Sequence, residues 1–331
     1  MKAAFIETTG SPDVIRYGDL PTPTPKEGEV LVRVKASAVN PIDLYIRAGT
    51  VAMPLPKPFI PGCDLAGTVE ALGPTAKRFA VGDRVWGSNQ GLLGRQGTMA
   101  EYACVHQDWL YPTPPNVTDV QASAAALTGI TAHLGLFNAA NLRPGETVFA
   151  NGGTGGVGSM VVQMAKAIGA RAITTVGSAD KAELCKKWGV DRVLNYKTDD
   201  VAAGIKDFTG GRGVDVWYET QREPDFVKTV PLLAPRGRMV IIAGRGAQPV
   251  FPVGPFYVKG LSLYGFAMFN ATPAEQQRCA EDINRWLSEG KLHPLIGRTF
   301  PLTEAAAAHR LLEENTLGKA GTLMGKVVVT M

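Results

Sequence analysis

The residues best suited to chemistry form a glycine run, Gly152-Gly-Thr-Gly-Gly-Val-Gly158. Apolar Val148, Phe149 and Ala150 precede it, and an apolar helical face of Val161, Val162, Met164, Ala165 and Ile168 follows. A bare glycine cluster is often only a flexible turn. Between a strand and a helix it has a more specific use. Without side chains the backbone can approach a pyrophosphate, and the helix N-terminus offers it unpaired N–H groups and the positive end of the dipole. The spacing predicts a dinucleotide site in which Gly155, Gly156 and Val157 make close backbone contacts and Gly158 lets the helix pack on the strand.

Which dinucleotide is read at the end of the second strand, about twenty residues on, where an NAD unit usually holds an acid for the ribose hydroxyls. Here the stretch is Thr174-Thr-Val-Gly-Ser-Ala-Asp-Lys181. Val176 takes the acid's place, Gly177 and Ser178 leave room, and Lys181 can answer the charge of a 2′-phosphate. The expectation is NADPH. Asp180 argues the other way, but it reads as a carboxylate entering the next helix. Lys181 has the ordinary alternative of a solvated helix face.

These residues need a scaffold, and 331 residues exceed one compact domain, which points to two. The first third reads as short strands broken by proline and glycine, including 30–36 with period-2 alternation and 66–71. From about Val120 the texture becomes alternating helix and strand. Strands are expected at 147–150, 171–176, 192–194, 214–218, 238–242 and 261–265, and helices at 122–136, 156–168, 179–188, 201–208 and 226–233. That order implies an α/β fold with a doubly wound parallel sheet. Helices at 274–287 and 303–314 and a strand at 326–330 then return to the first domain. The boundaries read as 1–121 with 266–331 for the β-rich domain and 122–265 for the nucleotide domain. The strand-like 258–264, at the expected sheet edge, predicts a homodimer.

Composition sets the outer limits. Hydrophobic residues make up 45% and charged ones 19%, which excludes general disorder. The net charge of +4 is not gathered into basic runs, so it makes no case for nucleic acid or an anionic membrane. No uninterrupted apolar stretch is expected to span a bilayer. Cys63, Cys104, Cys185 and Cys279 show no C-x-x-C spacing and read as reduced thiols of a cytoplasmic protein. No serine sits in a G-x-S-x-G elbow.

Several segments together carry a family resemblance: 39–49 (Val-Asn-Pro-Ile-Asp-Leu-Tyr-Ile-Arg-Ala-Gly), 61–67 (Pro-Gly-Cys-Asp-Leu-Ala-Gly), 81–85, the glycine turn, 175–181 and 193–196. Across essentially its whole length the chain resembles the zinc-free NADPH:quinone oxidoreductase, or zeta-crystallin-like, branch of the medium-chain dehydrogenase/reductase superfamily. The resemblance implies a GroES-like catalytic domain built from both chain ends around an inserted Rossmann domain, with the active site in the cleft. By matching motif, Lys181 and Tyr196 hold the 2′-phosphate, Arg245 is a second partner for it, and 242–246 and 265–268, with Ala243 and Phe266, line the nicotinamide side. Tyr196 can equally be a packed aromatic. Zinc alcohol dehydrogenases of that superfamily place metal ligands where this chain has Asn40, Cys63-Asp64 and Leu127. One thiol and one carboxylate do not make a three-ligand site, and 87–104 holds only Cys104 of a four-cysteine lobe, so no metal is expected.

Chemistry without a metal must then place an electrophile against nicotinamide C4 for direct hydride transfer, which suits quinones and activated alkenes. Asn40 can donate to a carbonyl oxygen and Tyr45 can stack or hydrogen-bond; the plain alternatives are an Asn-Pro turn and a buried tyrosine. Asp43 reads as a ribose or structural contact. Thr128 and Thr131 either touch nicotinamide or cap a helix, and His133 reads as packed. An alkenal or enoyl reductase is the rival activity, and an NADPH-binding structural or RNA-binding protein the non-enzymatic one. The segments 218–224 and 317–325 depart from the family pattern and leave the acceptor open.

Overall fold

The computed structural model describes all 331 residues. It divides into two compact units, Met1–Leu127 with Thr272–Ser288 and Pro294–Met331, and Thr128–Ala271 with Glu289–His293. The crossings fall later than the expected 121/122 and 265/266. The first lies inside an unbroken helix, which composition cannot reveal.

Along the chain come β1 (Lys2–Phe5), β2 (Arg16–Asp19), β3 (Glu29–Val39), α1 (Pro41–Arg47), β4 (Leu65–Leu72), β5 (Arg84–Gly87), β6 (Tyr102–His106) and β7 (Leu110–Pro112). Then follow α2 (Asp119–His133), β8 (Thr147–Ala150), α3 (Gly156–Ala167), β9 (Arg171–Val176), α4 (Ala179–Lys187), β10 (Arg192–Asn195), α5 (Val201–Phe208) and β11 (Val214–Glu219). The rest is α6 (Phe226–Thr229), β12 (Leu233–Ile241), α7 (Val253–Val258), β13 (Ser262–Gly265), α8 (Pro273–Ser288), β14 (Ile296–Pro301), α9 (Ala305–Thr316) and β15 (Lys326–Thr330).

In the first unit, β3 pairs antiparallel with β15, β4 and β6. Its alternation is the reason it can: Val30, Val32 and Val34 pack with Leu65, Val69, Val85, Val105 and Leu110, while Arg33 and Lys35 stay outside. Because β3 and β15 are antiparallel, the end of β3 and the start of β15 meet, with Val39 opposite Val327. The start of β4 and the end of β5 lie at the same end of the sheet, with Leu65 opposite Gly87. That end gathers Asn40, Cys63, Asp64, Ser88 and Lys326.

The second unit is a six-stranded parallel sheet in the order β10-β9-β8-β11-β12-β13. All four residues of β8 are buried, as a strand covered on both faces requires. The order reverses between β8 and β11, so the loops after these two strands flank the switch point where such sheets bind ligands.

Several expectations change. The helix expected at 226–233 ends at Thr229, and Leu233 already belongs to β12, because Pro231 cannot continue the helical ladder. The strand expected from 258 begins only at Ser262; 253–258 is helical. The helix α1 and the strand β14 were not anticipated. The helix α2 together with the π-helical turn that continues it, Asp119–Ala139, is by length and composition alone apolar enough to cross a membrane, although Asp119, Gln121, Thr128 and His133 interrupt it. It is mostly buried inside the protein, and its alanines serve close packing there.

Candidate active site

The glycine turn is built as its spacing requires. Gly155 is the N-cap of α3, and its own N–H closes back on Gly152 O at 2.8 Å. The N–H groups left without a helical partner are therefore those of Gly156, Val157 and Gly158, the first helical partner being Ser159 N–H to Gly155 O, while Gly155 contributes only its bare backbone. Gly152 has φ +63°, and a Cβ on Gly158 would fall 2.3 Å from Gly152 O. The first position favours glycine for its conformation, and the second requires it for the close approach of helix and loop.

The turn is pinned from β11 by residues that sequence reasoning missed. Asn151 Nδ2 donates to Glu219 at 2.6 Å, Trp217 Nε1 donates to the other carboxylate oxygen at 3.0 Å, and Thr220 Oγ1 donates to Asn151 O at 3.1 Å. Burial pushes the Glu219 carboxyl up, and the Gln221 N–H, at 2.8 Å, with the Trp217 and Asn151 side chains, opposes the shift. The signal was present in the unusual 218–224 segment, but nothing in a sequence pairs Asn151 with a residue 68 positions away.

At the end of β9, Val176 is buried and Gly177 and Ser178 open the way into α4, with Lys181 in its first turn. Tyr196 follows β10 and is 57% exposed, while its backbone N–H donates to Val176 O at 3.1 Å. Its hydroxyl lies where a Gly177 side chain would stand: a Cβ there would be 2.4 Å from Tyr196 Oη. A glycine, a hydroxyl-bearing ring and a lysine thus share one corner, with apolar Val176 in place of an acid. This corner fits the 2′-phosphate of NADPH. Arg245 is exposed in the loop after β12, and Ala243 and Phe266 are half-buried beyond β12 and β13. Thr131 is buried within α2, not at a helix start, and its carbonyl accepts the Tyr218 hydroxyl at 2.7 Å.

Residues 26–115 match the alcohol dehydrogenase GroES-like domain, and residues 156–288 match the zinc-binding dehydrogenase domain. Human quinone oxidoreductase is 31% identical over 100% of this chain and 98% of its own length. The 2-haloacrylate reductase of a Burkholderia species is 31% identical over 94% and 95%. The chain belongs to the medium-chain dehydrogenase/reductase superfamily. Among solved members, an NAD-dependent alcohol dehydrogenase superposes with TM-score 0.90 at 33% identity, covering 100% of both chains. Escherichia coli quinone oxidoreductase complexed with NADPH gives 0.87 at 28%, also over 100% of both.

The matching domain's name raises the question of zinc, and the first unit answers it chemically. Asn40 Nδ2 donates to Ala38 O at 3.2 Å and to Asp64 Oδ2 at 2.8 Å. Ser88 Oγ and the Leu127 N–H hold Asp64 Oδ1 at 2.7 and 3.1 Å. The Asn40 N–H donates to Asp43 Oδ2 at 2.7 Å, fixing the start of α1. The Lys326 ammonium donates to Val39 O at 2.8 Å and to Asn40 Oδ1, and its charge acts on Asp43, Cys63 and Asp64. Burial pushes Asp64 up to about 7 and Asp43 to about 6, against the attraction of Lys326. Burial also raises the Cys63 thiol and lowers Lys326. No group of three or more His, Cys, Asp or Glu side chains is arranged to hold a metal. A lysine cation among an amide, two carboxylates and a thiol does not fit a zinc site.

This network also revises the picture of Asn40. The residue is fully buried and both amide protons are engaged, so donation to a substrate carbonyl requires breaking one of two bonds. It is built as a positioning residue at the N-cap of α1. Tyr45, on the same helix, is half-buried, and its hydroxyl makes no hydrogen bond within the chain. Asp43 is buried in the network and holds the helix start.

Proposed function

We propose that this protein is an NADPH-dependent oxidoreductase that reduces a quinone by direct hydride transfer without a metal. When bound, NADPH supplies the hydride from its nicotinamide C4. The observation that carries the cofactor assignment is the Gly177, Tyr196 and Lys181 corner beside apolar Val176. There Lys181 meets the 2′-phosphate and the Tyr196 hydroxyl and Ser178 add hydrogen bonds, with Arg245 a further cation. Gly156 and Val157 present N–H groups to the pyrophosphate over bare Gly155, and Thr131, Ala243 and Phe266 line the nicotinamide. In the first unit Asn40 and Asp43 fix α1, and Tyr45 orients the acceptor. Binding and orientation do most of the work, and the proton comes from water. Buried, unpaired thiols at Cys63, Cys185 and Cys279 fit a reducing, cytoplasmic setting.

A second reading, reduction of an activated alkene, is favoured by the similarity to a 2-haloacrylate reductase. NADPH oxidation followed in parallel with a quinone and with an alkenal separates the two; turnover of neither acceptor refutes both. We also propose a homodimer through β13, an edge strand whose Leu263 and Tyr264 are exposed beside exposed Tyr257 and Val258 of α7. Light scattering at micromolar concentration tests it, and a monomer mass rules it out.

A further inference from the structure

The loop between β5 and β6 holds a cation that nothing in the chain neutralises. Arg95 is half-buried, and no carboxylate lies within ion-pair distance of it. Its Nε donates to Asn89 O at 2.7 Å, and its guanidinium carbon lies 5.7 Å from the Trp109 ring centroid. Those two contacts fix the head group and leave its terminal nitrogens without a bond inside the chain. Burial alone lowers its pKa, and the Cys63 sulfur is the group whose field it feels.

The loop is rigid where it carries Arg95. Gly91 N–H donates to Gln96 O at 3.0 Å, Arg95 N–H to Leu92 O at 3.1 Å, and Gln90 N–H to Cys63 O at 3.2 Å. A Cβ on Gly91, at φ +65°, would fall 2.8 Å from Gly62 O, so loop and Cys63 segment are in direct contact. A second, independent feature lies beside it: Asn89 is fully buried with φ 67°, and neither atom of its side-chain amide has a partner. A buried amide left unpaired costs about 1–3 kcal/mol, and a half-desolvated unpaired guanidinium adds to that cost. A rigid loop that carries both is pre-organised for a ligand with oxygen acceptors and negative charge.

We propose that Arg95 and Asn89 form a recognition site for the anionic oxygen of the electron acceptor, so that the favoured substrates are conjugated acceptors bearing a carboxylate. Arg95 pairs with the carboxylate through its terminal nitrogens, and Asn89, whose backbone carbonyl accepts from Arg95 Nε, holds that head group in place. This rests on the oxidoreductase reading above and names its substrate class. In balance, a carboxylated quinone gains a hydride from nicotinamide C4 and a proton from water, becoming the hydroquinone while the cofactor leaves as NADP⁺.

The test compares kcat/KM for a carboxylated naphthoquinone and its neutral parent, in the wild type and in Arg95→Leu and Arg95→Lys. The expected result is that Arg95→Leu lowers the ratio of charged to neutral acceptor about tenfold or more, with Arg95→Lys keeping part of the preference. A ratio that stays constant while both rates fall marks a loop clamp and overturns the proposal. Calorimetric binding of 2-naphthoate against neutral 2-naphthalenemethanol needs no turnover. If naphthoate binds through Arg95 and no acceptor is reduced, the oxidoreductase reading fails and the anion site stands. If naphthoate binds no better than the alcohol, the anion site fails whatever the activity.

Discussion

The helix α9 buries a histidine whose protonation the fold forbids, and this predicts a specific loss of stability in mild acid. His309 is fully buried with neither ring nitrogen hydrogen-bonded. Arg47, also fully buried and bonded to Glu313 at 2.7 Å, adds its charge. Burial first, and Arg47 second, hold His309 down at about 3 instead of 6.5. The unfolded chain takes up a proton below pH 6.5 and the native protein does not until about pH 3. The stability this residue contributes is whole above pH 6.5 and falls as pH drops, by about 1.4 kcal/mol per pH unit. Between pH 7 and pH 5 the loss is about 2 kcal/mol.

Two carboxyls act in the opposite sense over the same range. Asp64 and Asp43, raised to about 7 and 6, bind protons more tightly in the native state, so their contribution is present at low pH and lost as pH rises toward neutrality. The total pH profile therefore hides the histidine, and only a difference isolates it. Urea unfolding of the wild type and of His309→Leu at pH 7, 6 and 5 should show the wild type losing about 2 kcal/mol more than the variant between the extremes, whatever constant offset separates them at pH 7. His309→Gln is the second probe should the leucine variant not fold. Parallel pH dependences would show that the unfolded state gains no proton at this site, and the reasoning would be refuted.

Lys181→Ala should raise KM for NADPH about tenfold and leave that for NADH nearly unchanged, because only the phosphate contact is lost; equal losses with both cofactors would remove the 2′-phosphate role. Lys326→Met leaves two buried carboxylates without their cation and should destabilise the protein by about 3–5 kcal/mol in urea, with Asp64→Asn in the same chain recovering part of it. Additive losses would show that the two side chains do not interact.

The glycine turn was legible because backbone geometry favours glycine there: Gly152 stands at φ +63°, a conformation side chains adopt at a cost, and the close approach at Gly158 leaves no room for a Cβ. The strands 147–150, 171–176 and 326–330 were legible because apolar runs between turn signals leave no other arrangement, and their ends agree with β8, β9 and β15. The helix α7 was not, since Val253-Gly-Pro-Phe carries two helix-weakening residues and only its packing makes it helical. The network around Asp64 escaped for a different reason. Lys326 sits 286 residues from Asn40, and in Gly-Lys-Val-Val-Val it resembles any lysine entering a terminal strand. Arg95 and Asn89 escaped likewise, since an unpaired cation is recognised only once every neighbouring carboxylate has been placed.

The Lys326 cluster bears on the acceptor itself. A metal ion with an open position can polarise a carbonyl, but a buried ammonium that already gives two of its three protons to Val39 O and Asn40 Oδ1 and faces Asp43 and Asp64 has little left to offer a substrate oxygen. The cation fixes Asn40, Asn40 fixes the start of α1, and α1 carries Tyr45: the charge at this end of the sheet serves position. An acceptor that receives no strong polarisation from the protein must be electrophilic in its own right, as quinones and activated alkenes are. Arg95 then supplies what the buried lysine cannot, a cation with uncommitted donors, and the preference for an acidic acceptor follows from where that donor is held.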